Sequence, residues 1–212
     1  MKLVVISPEA DEPREHAVLA ELFAAGLERY HVRKPQWPQE KLAVWLNAVP
    51  SQWWSRLVLH QHHELAVEFG CGGMHFKDSD DSDDALHRRA DFFTSRSCHD
   101  LADLNTALGN YAAVFFSPVF PSISKSGYGP TIPIETVTER LARRTDAERK
   151  TEVIALGGIT PTNAIRCAEL GFDGVAVLGA LWQALEPLKV FEQLQSRLGR
   201  DASPYLTTHH VA

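Results

Sequence analysis

Eight short runs rich in β-branched and aromatic residues, at 3–6, 30–33, 57–60, 74–76, 92–95, 113–116, 153–156 and 175–178, punctuate the chain and read as strands. Most of the stretches between them repeat at helical period. Leu42, Trp45, Leu46 and Val49 trace an i, i+3, i+4, i+7 stripe, and Leu101, Leu104 and Leu108 repeat it more sparsely. Pro38 and Pro161 suit the first turn of a helix, where a missing N–H is no loss, and Thr160 precedes Pro161 as an N-cap. Gly26, Gly70, Gly109 and Gly171 fall where helices should end. Strands alternating with helices are joined by right-handed crossovers into a parallel sheet, and eight such units close into a barrel. The expectation is an α/β chain with a single (β/α)8 TIM-barrel domain over residues 1–199 and a loosely ordered C-terminal tail over 200–212. An open doubly wound sheet is the competing architecture. It calls for a glycine-rich turn after the first strand, where this chain has Ser7, Pro8, Glu9 and Ala10.

The 212 residues, 44% of them hydrophobic, suffice for one substantial core, which sets aside disorder and mini-protein scaffolds. Lys and Arg total 21 against 27 Asp and Glu, a formal charge of −6 with no basic half, so no nucleic-acid partner is expected. That total still leaves room for a small cationic pocket around a phosphorylated ligand. Cys71, Cys98 and Cys167 form no CxxC pair and are odd in number, which fits reduced thiols and a cytoplasmic location. No run approaches the roughly 18 apolar residues of a membrane span, so no membrane partner is expected either. Barrels often associate through helices or rim loops; Trp37, Trp45, Trp53 and Trp54 are compatible with core or interface, and a homo-oligomer stays among the options.

In such a barrel the site lies at the carboxyl ends of the strands. Polar residues are dense there: His31, Arg33 and Lys34 after the second strand, His60, Gln61, His62 and His63 after the third, His75, Lys77, Asp78 and Asp80 after the fourth, and Ser97 and His99 after the fifth. The sixth strand runs into a long segment, 117–129, in which Ser122, Ser124 and Lys125 set two hydroxyls and an ammonium close together, a combination suited to anionic oxygens. Gly157 and Gly158 follow the seventh strand, and Leu178 and Gly179 the eighth, the two loops where barrels commonly bind phosphate through backbone N–H groups. The histidines at 60–63 read either as a metal cluster or as one inward residue followed by a helix cap. Asp80 sits in an acidic run suited to a solvated loop and also to Mg²⁺, which prefers oxygen ligands.

Assembled in this order, the chain resembles the thiamine phosphate synthase and TenI family of small (β/α)8 barrels from about residue 2 to residue 198. The resemblance is carried by the segments 31–34, 72–76, 97–99, 117–125, 153–159 and 171–179, which are specific together. It implies an enzyme of thiamine biosynthesis, a transferase joining an aminopyrimidine methyl diphosphate to a thiazole phosphate with release of diphosphate. It further implies that Arg33 binds diphosphate, that Ser97 matches the serine after strand five, and that Ser122, Ser124 and Lys125 match a Thr-x-Thr-Lys loop. Gly158, Leu178 and Gly179 match the thiazole-phosphate site, and Asp80 matches one of two Mg²⁺-binding aspartates. Catalytic roles then fall to Lys125, Ser97, Arg33 and His31. Substrate contacts extend to Lys34, His60, Gln61 and Gly157.

The chain departs from the pattern in two places. His60 and Gln61 stand where the synthases have Asn-Asp, which removes the second Mg²⁺ carboxylate. His31, Arg33 and Pro35 stand where they have Gln-x-Arg-x-Lys, and Lys34 lies one position away. The TenI-like alternative is a metal-independent thiazole tautomerase. Its histidine acid or base falls at Pro118 here, leaving His31, His60 or His99 to take that part. A non-catalytic protein that binds thiazole phosphate or thiamine phosphate is the third alternative.

Overall fold

The computed structural model describes residues 1–77, 91–121 and 129–199. Eight strands, β1 (Lys2–Ile6), β2 (Tyr30–Val32), β3 (Leu57–Leu59), β4 (Gly73–Phe76), β5 (Phe93–Cys98), β6 (Ala113–Phe116), β7 (Glu152–Leu156) and β8 (Gly174–Val177), pair in parallel and in sequence order. The last returns to the first, with Leu3 opposite Val175 and Val5 opposite Val177, so the barrel is closed. Closure excludes the open doubly wound sheet. The tail at 200–212 lies outside the described residues.

Each strand is buried on both faces, and alternate residues separate into two clusters. Val4, Ile6, Ala113, Phe115, Ile154 and Ala176 pack together inside the barrel. Their neighbours in sequence, among them Val5, Tyr30, Val32, Leu59, Met74, Phe116, Val153 and Val175, face the surrounding helices. Those helices bury the stripes read from the sequence: Leu42, Trp45 and Leu46 from α2 (Gln39–Ala48), and Leu104 from the helix Leu101–Ala107. Trp45 is buried and Trp37, Trp53 and Trp54 pack half-buried against the same core. Gly26, Gly70, Gly109 and Gly171 all adopt positive φ at helix ends, as expected of them.

Two helix starts differ from expectation. Pro38 is the N-cap of α2, one position before the first helical residue. The seventh connecting helix begins at Ala164, after a turn in which Asn163 Oδ1 accepts from Thr160 N at 2.8 Å and Asn163 Nδ2 donates to the Gly158 carbonyl. Thr160 therefore opens a turn instead of capping a helix. No helix among the described residues is long and apolar enough to cross a membrane, and the three cysteines are buried, none in a disulfide.

One charge cluster lies between the barrel wall and α1 (Glu15–Ala24). Lys34, whose side chain is fully buried, donates to Glu15 Oε2 at 2.6 Å and to the Ala10 carbonyl, while Tyr30 OH donates to Glu15 Oε1 at 2.8 Å. Burial pushes the Glu15 carboxyl up from its ordinary range, and the ammonium and phenol oppose that push. Removing one partner strands the other charge, so Lys34→Ala is expected to lower unfolding stability at pH 7 by about 3–5 kcal/mol in urea titrations. Adding Glu15→Gln to Lys34→Met should leave a much smaller loss, because the amide oxygen still accepts from Tyr30 and no charge is left unpaired.

Candidate functional site

Strand alternation decides which rim residues reach the barrel's interior. On β2, Tyr30 and Val32 face the helices, so His31 and Arg33 turn inward and Lys34 turns outward with Tyr30. This corrects the expectation for Lys34: its ammonium is paired with Glu15 behind the wall and is not presented at the rim. The same parity turns His60 inward after Leu59 and His75 inward between Met74 and Phe76.

Arg33, His60, Gln61 and Ser97, all expected from sequence, line one cleft of about 230 Å³ at the carboxyl ends of β2 to β5. Pro35, His75, Lys77 and His99 complete its lining. Ser7, at the end of β1, fixes the Arg33 backbone by accepting from its N–H at 2.7 Å and donating to its carbonyl. The Arg33 guanidinium pairs with Glu9 at the cleft edge. His99 Nδ1 donates to the Ser117 carbonyl at 2.9 Å, which leaves its Nε2 to carry the lone pair when the ring is neutral. His75 was noted at the rim in the sequence but not assigned to the site. The signal for it was parity, since His31, His60 and His75 hold the inward position at or just after the ends of β2, β3 and β4.

Below the cleft, His31, His60 and His75 form a buried cluster. His31 Nδ1 lies 3.1 Å from His60 Nε2, and the His60 and His75 rings stack with centroids 4.0 Å apart. His75 is held at both nitrogens, by Ser95 Oγ at 2.8 Å and Ser97 Oγ at 2.9 Å. His31 packs against Phe115, and its Nε2 is buried without a hydrogen-bond partner. One ring nitrogen from each histidine lies within 4.8 Å of the others, a spacing that could hold a metal ion.

On the far side of the mouth, Val119 N donates to the Leu156 carbonyl and Phe120 N to the Gly157 carbonyl, which zips the β6 and β7 loops together. Gly158, at φ 64°, is where a glycine is required: a Cβ there would stand 2.3 Å from the Pro121 carbonyl oxygen. Packing of the two loops is thus one reason for this glycine, separate from any approach to phosphate. Leu178 packs at the top of the inner cluster and caps the short helix that starts at Gly179. Ser122, Ser124, Lys125 and Asp80 lie outside the described residues.

Two outcomes follow from this geometry. Gly158→Ala is expected to lower the melting temperature without any ligand present, since the loop carrying Pro121 must shift to admit the methyl group. The histidines predict the acid response. Desolvation, with a smaller push from Arg29, holds His31 down at about 3; desolvation holds His60 and His75 well below 6.5, helped by His31 beside both, by His75 beside His60, and by Arg33 and His63. Below pH 6.5 the unfolded chain therefore binds protons that the folded chain refuses, and stability falls as pH falls. Well below pH 6.5 the slope approaches about 1.4 kcal/mol per pH unit for each histidine. Urea unfolding of the metal-free protein between pH 7 and 5 should show it, with about a third of the histidine contribution removed in His31→Gln.

The chain matches the family model described as thiamine monophosphate synthase over residues 3–181. A thiamine-phosphate synthase of Chromobacterium violaceum is 30% identical over 191 residues, 86% of this chain and 88% of that protein. One from Bordetella bronchiseptica is 34% identical over 135 residues, 60% of each chain. Among solved structures, a thiamine phosphate pyrophosphorylase from Bacteroides thetaiotaomicron superposes with a TM-score of 0.77 at 28% identity, covering 96% of this chain and 100% of that one. A Pyrococcus furiosus thiamine phosphate pyrophosphorylase, at 19% identity and a TM-score of 0.79 over 95% and 97% of the two chains, shares the fold. With a match that runs from β1 to the short helix after β8, the chain belongs to the thiamine monophosphate synthase family.

Proposed function

We propose that the protein is a thiamine phosphate synthase, a transferase that joins an aminopyrimidine methyl diphosphate to a thiazole phosphate and releases diphosphate. The observation that carries this reading is the gathering of Arg33, Gln61, Lys77 and Ser97 in one cleft at the carboxyl rim of a barrel matched to the family over residues 3–181. In the reaction the methylene carbon to oxygen bond breaks and diphosphate leaves with the electron pair. The thiazole nitrogen lone pair then closes on the pyrimidine methyl cation. Arg33 and Lys77 supply positive charge where the leaving group gathers negative charge, and the Ser97 hydroxyl donates to it. Ser122, Ser124 and Lys125 extend that cradle in this reading. Backbone N–H groups at Gly157, Gly158, Leu178 and Gly179 hold the thiazole phosphate across the mouth.

The Mg²⁺ implied by the resemblance is not matched by the described part of the cleft. None of the described lining residues is a carboxylate, and Mg²⁺ prefers oxygen ligands. Asp80 remains the proposed ligand, outside the described residues.

Offering both phosphorylated halves with and without Mg²⁺ and measuring thiamine phosphate tests the proposal. Arg33→Ala and Lys125→Ala are each expected to reduce kcat/KM by about 100-fold or more, with Lys125→Ala leaving the melting temperature unchanged. No product above background from the wild-type chain would remove the synthase reading. One observation favours a thiazole tautomerase as the second reading: His99 lines the cleft with Nδ1 held by the Ser117 carbonyl, so that Nε2 carries the lone pair in the neutral ring. Metal-independent tautomer turnover abolished by His99→Ala, with no thiamine phosphate formed, would select it.

A further inference from the structure

We propose that His31, His60 and His75 form a binding site for one divalent transition-metal ion of the zinc class, set in the floor of the cleft with a coordination position open toward it. The site is built on three adjacent strands: His31 and His75 are inward residues of β2 and β4, and His60 is the inward residue directly after β3. A tetrahedral ion bound at about 2.0–2.1 Å to imidazole nitrogens holds those nitrogens about 3.3 Å apart. His31 Nδ1 and His60 Nε2 already stand at 3.1 Å, and one nitrogen from each ring falls within 4.8 Å of the others. Binding asks His75 to turn out of its stack on His60 and to release one of its two serine partners, while the His31–His60 pair already stands near the required spacing.

Three features of the surroundings suit an ion better than plain packing. The histidines are buried to 0%, 8% and 2% exposure over an apolar layer that includes Phe115, where aliphatic side chains would fill the space at lower cost. His75 has a serine hydroxyl on each nitrogen, so whichever nitrogen turns to the ion, the other keeps an orienting hydrogen bond. Burial also keeps the rings neutral, the form in which imidazole ligates, so no proton has to be displaced.

The donor set chooses the ion. Three imidazoles suit Zn²⁺ or Co²⁺, whereas Mg²⁺ takes oxygen ligands. His60 and His75 line the cleft directly, with Gln61 and Ser97 beside them, so the fourth position opens where a water or a substrate atom can reach it. This site does not depend on the synthase reading, because its occupancy is measured without substrates.

The test uses the full chain stripped with a chelator and titrated with Co²⁺. One equivalent should bind with the intense visible absorption of a four-coordinate ion, be displaced by Zn²⁺ and be unaffected by excess Mg²⁺, and Zn²⁺ should raise the melting temperature. His31→Gln and His60→Asn should each weaken binding by at least 100-fold, and Ser95→Ala by about tenfold, the scale seen for outer-shell partners. Circular dichroism and melting of the metal-free variants check folding; if one variant fails to fold, the other and Ser95→Ala still decide the question. A folded wild-type chain that takes up no Co²⁺ at stoichiometric concentration would overturn the proposal. So would equal Co²⁺ binding by wild type and the folded variants, which would put the ion on other histidines such as His62, His63, His209 or His210.

Discussion

Burial of every strand on both faces is the constraint on which the rest of this molecule depends. In a closed parallel barrel, each residue faces either the interior or the helical layer, and a shift of one position exchanges the two. Val4, Ile6, Phe115 and Ile154 meet inside because they hold one parity, while Val5, Tyr30, Val32 and Val153 hold the other and seat the helices. The same rule sorts the polar residues at the rim. Arg33, His60, His75 and Ser97 are directed to the mouth, His31 to the interior beneath it, and Lys34, next to Arg33 in sequence, to Glu15.

That sorting shapes the electrostatics of the site. Two basic residues adjacent in the chain have opposite uses: Arg33 is half-buried at the cleft beside Glu9, and Lys34 neutralises a buried carboxylate that anchors α1 to β2. The formal charge of −6 is thus compatible with an anion site, because Arg33 and Lys77 are concentrated at the cleft while none of its described lining residues is acidic. Beneath these cations, desolvation keeps three histidines neutral. The cleft therefore combines charged donors at its edge with uncharged nitrogen ligands at its floor, two environments that suit different chemical partners.

The loops after β6 and β7 meet across the mouth through backbone hydrogen bonds, and Gly158 allows that meeting because no side chain stands between it and Pro121. Glycines at such a place carry two signals at once, turn formation and ligand approach. The backbone contact shows that the first is satisfied by the fold itself, whatever ligand the loop also holds.

Much of the fold was legible in the chain. Seven of the eight runs mark their strands to within one residue at each end, because a strand buried on two sides needs a short continuous apolar stretch; β5 runs three residues past its reading, through Arg96, Ser97 and Cys98, where that apolar signal is missing; and the glycines after the helices mark their ends because a positive φ favours that residue. Membership of the cleft was legible for Arg33, His60 and Gln61 from their places after strands, and for Ser97 from its place near the end of β5. The helix start after β7 was misplaced, because Asn163 makes a turn with Thr160 and Gly158 that propensity alone does not reveal. Local periodicity and chain order were enough to read the architecture and to point to the carboxyl end of the barrel as the place to search for a site. Only the tertiary structure decided that Lys34 faces Glu15 and that His31, His60 and His75, separated by 29 and 15 positions, share one space. Strand register and closure set those distances, and neither is a property of any local stretch of chain.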